Sequence, residues 1–162
     1  MAIVIDAGAE HVGAIVALIG QLRAQEGLDE PVTAESVLAY MDDPAASVFV
    51  AIETTIEGDA ADPVEPAAKG AVAVLGVLSL RIMLDLFHGR PTALIQEFVV
   101  HEAARGRGIG GALLDAALDR SRELGCVEVG VTTGEHNDAG QAAYRSRGFE
   151  CDGVYFERHL EA

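Results

Sequence analysis

Seven residues constrain this chain more than any other stretch: Arg105-Gly106-Arg107-Gly108-Ile109-Gly110-Gly111. An apolar run at 94–100 precedes them and reads as a strand. A segment at 111–124 follows, with Leu114, Ala117, Leu118 and Leu124 at helical spacing and Gly125 to stop it. A strand that turns through glycines into a helix leaves several backbone N–H groups unpaired at the helix start, and the helix dipole adds to their pull on an anion. Glycines at 106, 108 and 110 let the backbone approach that anion without a Cβ in the way. Arg105 and Arg107 add guanidinium donors suited to phosphate.

The same glycines satisfy a second pattern, G-x-G-x-x-G at 106, 108 and 111, and Glu128 stands about 20 residues on, where a ribose-binding acid would fall. Position argues against a dinucleotide site. Only about 50 residues follow the motif, too few for the remaining strands and helices of a nicotinamide fold.

The rest of the chain alternates between the two periods. Residues 2–5 suit a short strand. Val12, Ile15, Val16, Ile19 and Leu22 recur at helical spacing, with Gly27 as C-cap. Thr33 can cap a short helix carrying Val37, Leu38 and Met41, ended before Pro44. Residues 47–52 and 71–80 read as strands, and 57–69 as a solvated loop or insertion. Residues 83–92, with His88, Gly89 and Pro91, read as irregular. A strand at 126–132, a helix at 138–147 closed by Gly148 and a last strand at 154–160 complete the order. That order predicts one mixed α/β sheet with helices on both faces, and 162 residues suit one domain.

Charge narrows the partners. The net charge is −15 and the pI near 4.5. Such a surface repels phosphate backbones and anionic lipids, so neither nucleic acid nor membrane is expected, whereas protonated amines suit it. Cys126 and Cys151 make no disulfide framework and no metal spacing, so no metal is expected. With no leader pattern and no apolar run near 18 residues, a cytoplasmic setting is the expectation.

The turn with its flanks, Val100-His101-Glu102-Ala103-Ala104-Arg105-Gly106-Arg107-Gly108-Ile109-Gly110, resembles the acyl-CoA signature of the GNAT acetyltransferases, V-x-P-x-x-R-G-x-G-I-G. Arg105, Gly108 and Gly110 meet its core; His101-Glu102 replaces the usual Pro or Asp. A second block, from Asn137 through Tyr144 to Gly148-Phe149, resembles N-x-x-A-x-x-x-Y-x-x-x-G-F with Ala142 displaced by one. The two blocks cover 94–149.

The resemblance implies a single-domain GNAT fold over 1–162, with a mostly antiparallel sheet of six or seven strands and about four helices. It also implies acetyl-CoA as cosubstrate and transfer to a primary amine of a small molecule or a protein. Backbone N–H groups of Arg105, Gly106, Arg107, Gly108, Ile109 and Gly110, closed by Gly111, would hold the pyrophosphate. Phe98, Val99 and Val100 would pair with the pantetheine arm, Asn137 would touch it, and Tyr144 would sit near the sulfur. Look-alikes are commonly homodimers. A non-catalytic acyl-CoA-binding module is the alternative.

Asn137 and Tyr144 are seven residues apart, so a helix aligns them on one face about 10 Å apart. Asn137 reads equally as a helix N-cap, and Tyr144 as a core aromatic. Transfer needs a base for the ammonium proton. Glu97 is the first candidate, a carboxylate in an otherwise apolar strand. Gln96 beside it leaves the face open, since a bulge would swap which side chain enters the cleft. Glu135 and His136 are reserve bases, and Tyr144 would return a proton to the thiolate. Phe87, His88 and Tyr155 are candidates for the acceptor pocket.

Overall fold

The computed structural model describes residues 2–25, 27–28, 30–54, 72–158 and 160. The loop expected at 57–69 lies outside them. In chain order the elements are β1 (Ile3–Asp6), α1 (Val12–Gln25), α2 (Ala34–Met41), β2 (Ala46–Thr54), β3 (Val72–Asp85), β4 (Arg90–Val100), α3 (Ile109–Glu123), β5 (Val129–Val131) and α4 (Asp138–Arg145). The strands lie side by side in sequence order. β1 to β4 are antiparallel, and β5 joins β4 in parallel.

Successive residues of a strand face opposite ways, so β2 splits its side chains between two cores. Val48, Val50 and Ile52 pack with Val77 and Val99 beneath Val12, Ile15 and Leu18 of α1 and Val37 of α2. Phe49 and Ala51 join Leu78, Leu80, Ala93 and Ile95 beneath Ile109, Leu113, Leu114 and Ala117 of α3 and Tyr144 of α4. Helices therefore cover both faces, as the pattern predicts. Double coverage explains why β2 and β3 read as near-continuous apolar runs rather than alternating ones.

Local chemistry sets the helix ends. Thr33 Oγ1 accepts from the Ser36 N–H at 3.1 Å, and Ser36 Oγ accepts from the Thr33 N–H at 3.2 Å, a reciprocal cap. Gly27 adopts φ 72°, and the Leu28 N–H donates to Arg23 O at 3.0 Å, which closes α1.

Three expectations need correction. Residues 83–92 are not irregular: β3 runs to Asp85, β4 starts at Arg90, and a tight turn at 86–89 joins them. Asp85 makes that turn, its Oδ1 accepting from the Phe87 N–H at 2.8 Å. The strand expected at 126–132 contracts to Val129–Val131. Residues 154–158 and 160 form no strand, and Val154, Tyr155, Phe156 and Leu160 are exposed. The described residues thus hold five strands, not six or seven.

Core position and surface position should separate cleanly in stability. Leu78 is 0% exposed and Leu86 is 94% exposed. Leu78→Ala should lower the unfolding free energy by about 2–5 kcal/mol in urea titration, and Leu86→Ala by less than about 0.5 kcal/mol. Equal losses would contradict the described core.

Candidate active site

β4 pairs with β5 only at Ala93, Leu94 and Ile95. Past that point β5 ends, and β4 continues to Val100 with no β5 partner along Gln96, Glu97, Phe98, Val99 and Val100. There β5 no longer covers the edge of β4. Past Val100 the chain runs through a single turn at Glu102–Ala104 and the glycine turn into α3.

The turn has the form an anion requires. Gly106 and Gly108 adopt φ 75° and 80°, a left-handed backbone that few side chains tolerate. A Cβ built on either would meet no atom within 4 Å, so the space beside the turn is open. Gly108 is the N-cap of α3 and offers its first amides no side-chain cap. Diphosphate oxygens fit that set of donors. The two arginines differ in their partners. Arg107 reaches β2, where Glu53 accepts through both oxygens at 2.7 and 2.8 Å, and this ion pair holds the Glu53 carboxyl below its ordinary value. Arg105 Nε donates to Val100 O at 3.3 Å.

A register shift in β4 decides which face of the sheet each side chain takes. Leu78 pairs with Phe98 and Leu80 with Ile95, so Gln96 and Glu97 together oppose Ser79. This bulge returns Phe98 and Val100 to the face covered by α3, where both pack against that core. Ser79, between Leu78 and Leu80, points to the α1/α2 face, and Glu97 goes with it. The Glu97 N–H donates to Ser79 Oγ at 3.0 Å, and the Ser79 hydroxyl donates to Glu97 Oε2. Tyr40 of α2 donates to Gln96 Oε1 at 2.8 Å. Both bulge side chains are therefore tethered on one face.

Tyr144 is on the other. It is the buried residue of α4, 7% exposed, with its ring 6.1 Å from that of Phe98 and 5.8 Å from that of Phe149. Burial raises its phenol above the ordinary 10.0, which keeps the proton on Oη. Asn137 is the N-cap of α4: its Oδ1 accepts from the Gly140 N–H at 3.0 Å, and its Nδ2 donates to Thr133 Oγ1 at 2.9 Å. Glu135 and His136 are exposed in the connection ahead of it.

Other candidates lie apart. Phe87, 91% exposed, and His88 occupy the tip of the β3–β4 hairpin, where His88 Nδ1 is 2.6 Å from Asp85 Oδ2. Tyr155 is exposed in the segment after α4. Cys126 is partly buried and its thiol is pushed up by burial, so it packs rather than attacks. An open cavity of about 350 Å³, lined by Asp6, Gly8, Leu38, Met41, Ser47 and Arg120 among others, contains none of these groups.

Sequence reasoning passed over three contributors. Ser79 is the one hydroxyl in an apolar strand, and that isolation was its signal. Tyr40 carried none. Arg147 bonds Asp115 at 2.9 Å and Gly111 O at 3.2 Å, joining the end of α4 to the start of α3. A Cβ on Gly111 would sit 2.1 Å from Arg147 Nη2, so any larger residue there would move the Arg147 guanidinium. No described cluster of His, Cys, Asp and Glu could hold a metal, and no described helix is long and apolar enough to cross a membrane.

Residues 60–149 match the acetyltransferase (GNAT) family. An uncharacterised N-acetyltransferase of Bacillus subtilis (strain 168) is 27% identical over 81 residues, 50% of this chain and 52% of that protein. The chain thus spans about half the length of that relative. An aminoglycoside N(6')-acetyltransferase type 1 of Stenotrophomonas maltophilia is 28% identical over 135 residues, covering 72% of this chain and 88% of that one. An aminoglycoside acetyltransferase from an uncultured soil metagenomic sample, solved with sisomicin, superposes with a TM-score of 0.73 at 20% identity. The match covers 99% of this chain and 97% of that one.

The burial of Tyr144 has a measurable sign. The unfolded chain releases the phenolic proton near pH 10, while the folded chain retains it, so folding loses stability as pH rises past 10. Tyr144→Phe removes that loss. The urea midpoint should fall less in the variant than in the wild type between about pH 8 and about pH 11. Equal falls would mean the phenol is not desolvated.

Proposed function

The chain belongs to the GNAT acetyltransferase family, and on that premise we propose that it is an acetyl-CoA-dependent N-acetyltransferase acting directly on the primary amine of a small cationic molecule. The observation that carries this reading is the bared length of β4 above the amide turn, with Glu97 held on one face and Tyr144 on the other.

Amides of Arg105, Gly106, Arg107, Gly108, Ile109 and Gly110 would hold the pyrophosphate, with Gly111 giving Arg147 room to brace the turn. The main chain of Phe98, Val99 and Val100 offers a strand edge to the pantetheine amides, and Asn137 stands where it can add a contact. Bound acetyl-CoA would supply an activated thioester. Strand N–H groups beside it polarise a carbonyl without needing any side chain. Glu97 takes a proton from the acceptor ammonium, whose pKa near 10 otherwise leaves little free amine at neutral pH. Tyr144 Oη, kept protonated by burial, holds a proton for the departing thiolate. Glu135 and His136 stand as reserve bases.

The −15 charge and the aminoglycoside acetyltransferases among the relatives support a polycationic small molecule as acceptor. The same reading treats the chain as one cytoplasmic domain that works as a homodimer, without metal, membrane or nucleic acid.

Calorimetry and thiol release test it. The protein should take up acetyl-CoA, and should release CoA with at least one of sisomicin, spermidine and an alanine-amide. No uptake at millimolar acetyl-CoA sinks the proposal; uptake with no turnover leaves a binding module. Glu97→Gln should lower kcat about 10²- to 10⁴-fold. Tyr144→Phe should lower turnover and leave acetyl-CoA binding near wild type, whereas equal loss of both would assign the ring to packing.

A further inference from the structure

Ser79 interrupts the apolar run of β3 and is 5% exposed. A buried hydroxyl in such a strand costs stability unless both its proton and its lone pairs are used. Here both are. The bulge places two β4 residues opposite Ser79 alone, and it is the Glu97 N–H that Oγ accepts, at 3.0 Å. That amide fixes the oxygen from one side. The hydroxyl proton then goes to Oε2 of the same glutamate. The result is a closed loop, from backbone amide to serine to carboxylate, which folds the Glu97 side chain back over its own main chain.

The surroundings reinforce it. Tyr40 holds Gln96 at 2.8 Å, so the neighbouring bulge residue cannot take the serine. Arg81, with its guanidinium carbon 5.9 Å from the Tyr40 ring centre, is held 2.6 Å from Asp43. Arg81, on the same strand as Ser79, is thereby committed to Asp43. Burial raises the Tyr40 phenol, and the Glu97 charge pushes it the same way, while the Ser79 hydroxyl acts against both. Tyr40 therefore meets Glu97 as a neutral neighbour and leaves the carboxylate's charge uncancelled.

We propose that Ser79 is a positioning residue for the transfer: its hydroxyl, fixed by the bulge amide, holds Glu97 in the orientation from which the carboxylate meets the acceptor ammonium. The inference rests on the reading of Glu97 as base.

The test uses the full chain with acetyl-CoA and whichever of sisomicin, spermidine and alanine-amide the wild type acetylates fastest. Ser79→Ala should lower kcat about tenfold to a hundredfold, the rate equivalent of one hydrogen bond to a charged group. Amine KM and acetyl-CoA Kd should stay within about twofold. Ser79→Cys, close in volume but a weak donor, should behave like Ala. Ser79→Thr restores the hydroxyl and should recover kcat to within about threefold. In a Glu97→Gln background, Ser79→Ala should cost no further activity.

Wild-type kcat in both Ser79→Ala and Ser79→Cys would overturn the proposal. So would a Thr variant as slow as Ala, or losses that simply multiply in the double variant. If Glu97→Gln itself keeps full kcat, the base assignment falls and the positioning role falls with it. A severe Glu97→Gln defect beside a silent Ser79→Ala removes the positioning role alone.

Discussion

The organisation of this molecule turns on one slipped residue in the β3–β4 ladder. Up to Ile95, β4 alternates regularly, sending Ala93 and Ile95 to the α3 core. Unbroken alternation would next send Glu97 into that core, a carboxylate among leucines with no partner, at a cost of several kcal/mol. The bulge at Gln96 and Glu97 avoids this. It turns Glu97 to the α1/α2 face, gives it Ser79 as partner, and brings Phe98 back under α3 beside Tyr144. The bulge falls where β4 loses β5 as a neighbour, so the strand changes its facing where its edge becomes free.

Elements set by local chemistry were legible in the sequence. The Thr33 cap, the glycine closing α1 and the strand–turn–helix around 105–111 follow from contacts a few residues apart, and the structure contains each. The β3–β4 hairpin was not legible. His88, Gly89 and Pro91 have the composition of a loop, and only pairing with residues 81–85 makes 90–94 a strand. The segment 154–160 shows the converse. Val154, Tyr155 and Phe156 have β propensity, but propensity without a hydrogen-bonded neighbour does not make a strand.

The site divides along the same line. The turn could be read because glycine tolerates φ near 80° and little else does. Glu97 could be singled out as an expensive residue in an apolar strand, yet its face could not, because a bulge is a property of two strands. Arg107 was read as a phosphate donor from its neighbours in sequence; the structure gives it to Glu53, 54 positions away. Of the two readings of Asn137, the structure contains the N-cap, its Oδ1 accepting from the Gly140 N–H.

Pairing of the cations has a consequence for how an anion and a cation can share one small enzyme. Arg81, Arg107, Arg120, Arg122 and Arg147 each have a carboxylate within 4.0 Å. Under the proposed function the glycine turn would then hold a diphosphate chiefly through its amides and the helix dipole, with Arg105, whose Nε donates to a carbonyl rather than a carboxylate, as its charged contributor. On the proposed reading, an overall charge of −15 would draw a polycationic amine to the same protein. The proposed proton transfers would gain from separation. With Glu97 as base and Tyr144 as acid, a hydrogen bond between them would occupy both the carboxylate lone pair and the phenolic proton that the two steps use. Setting them on opposite faces of β4 lets each keep its own environment: a serine tether for one, aromatic burial for the other.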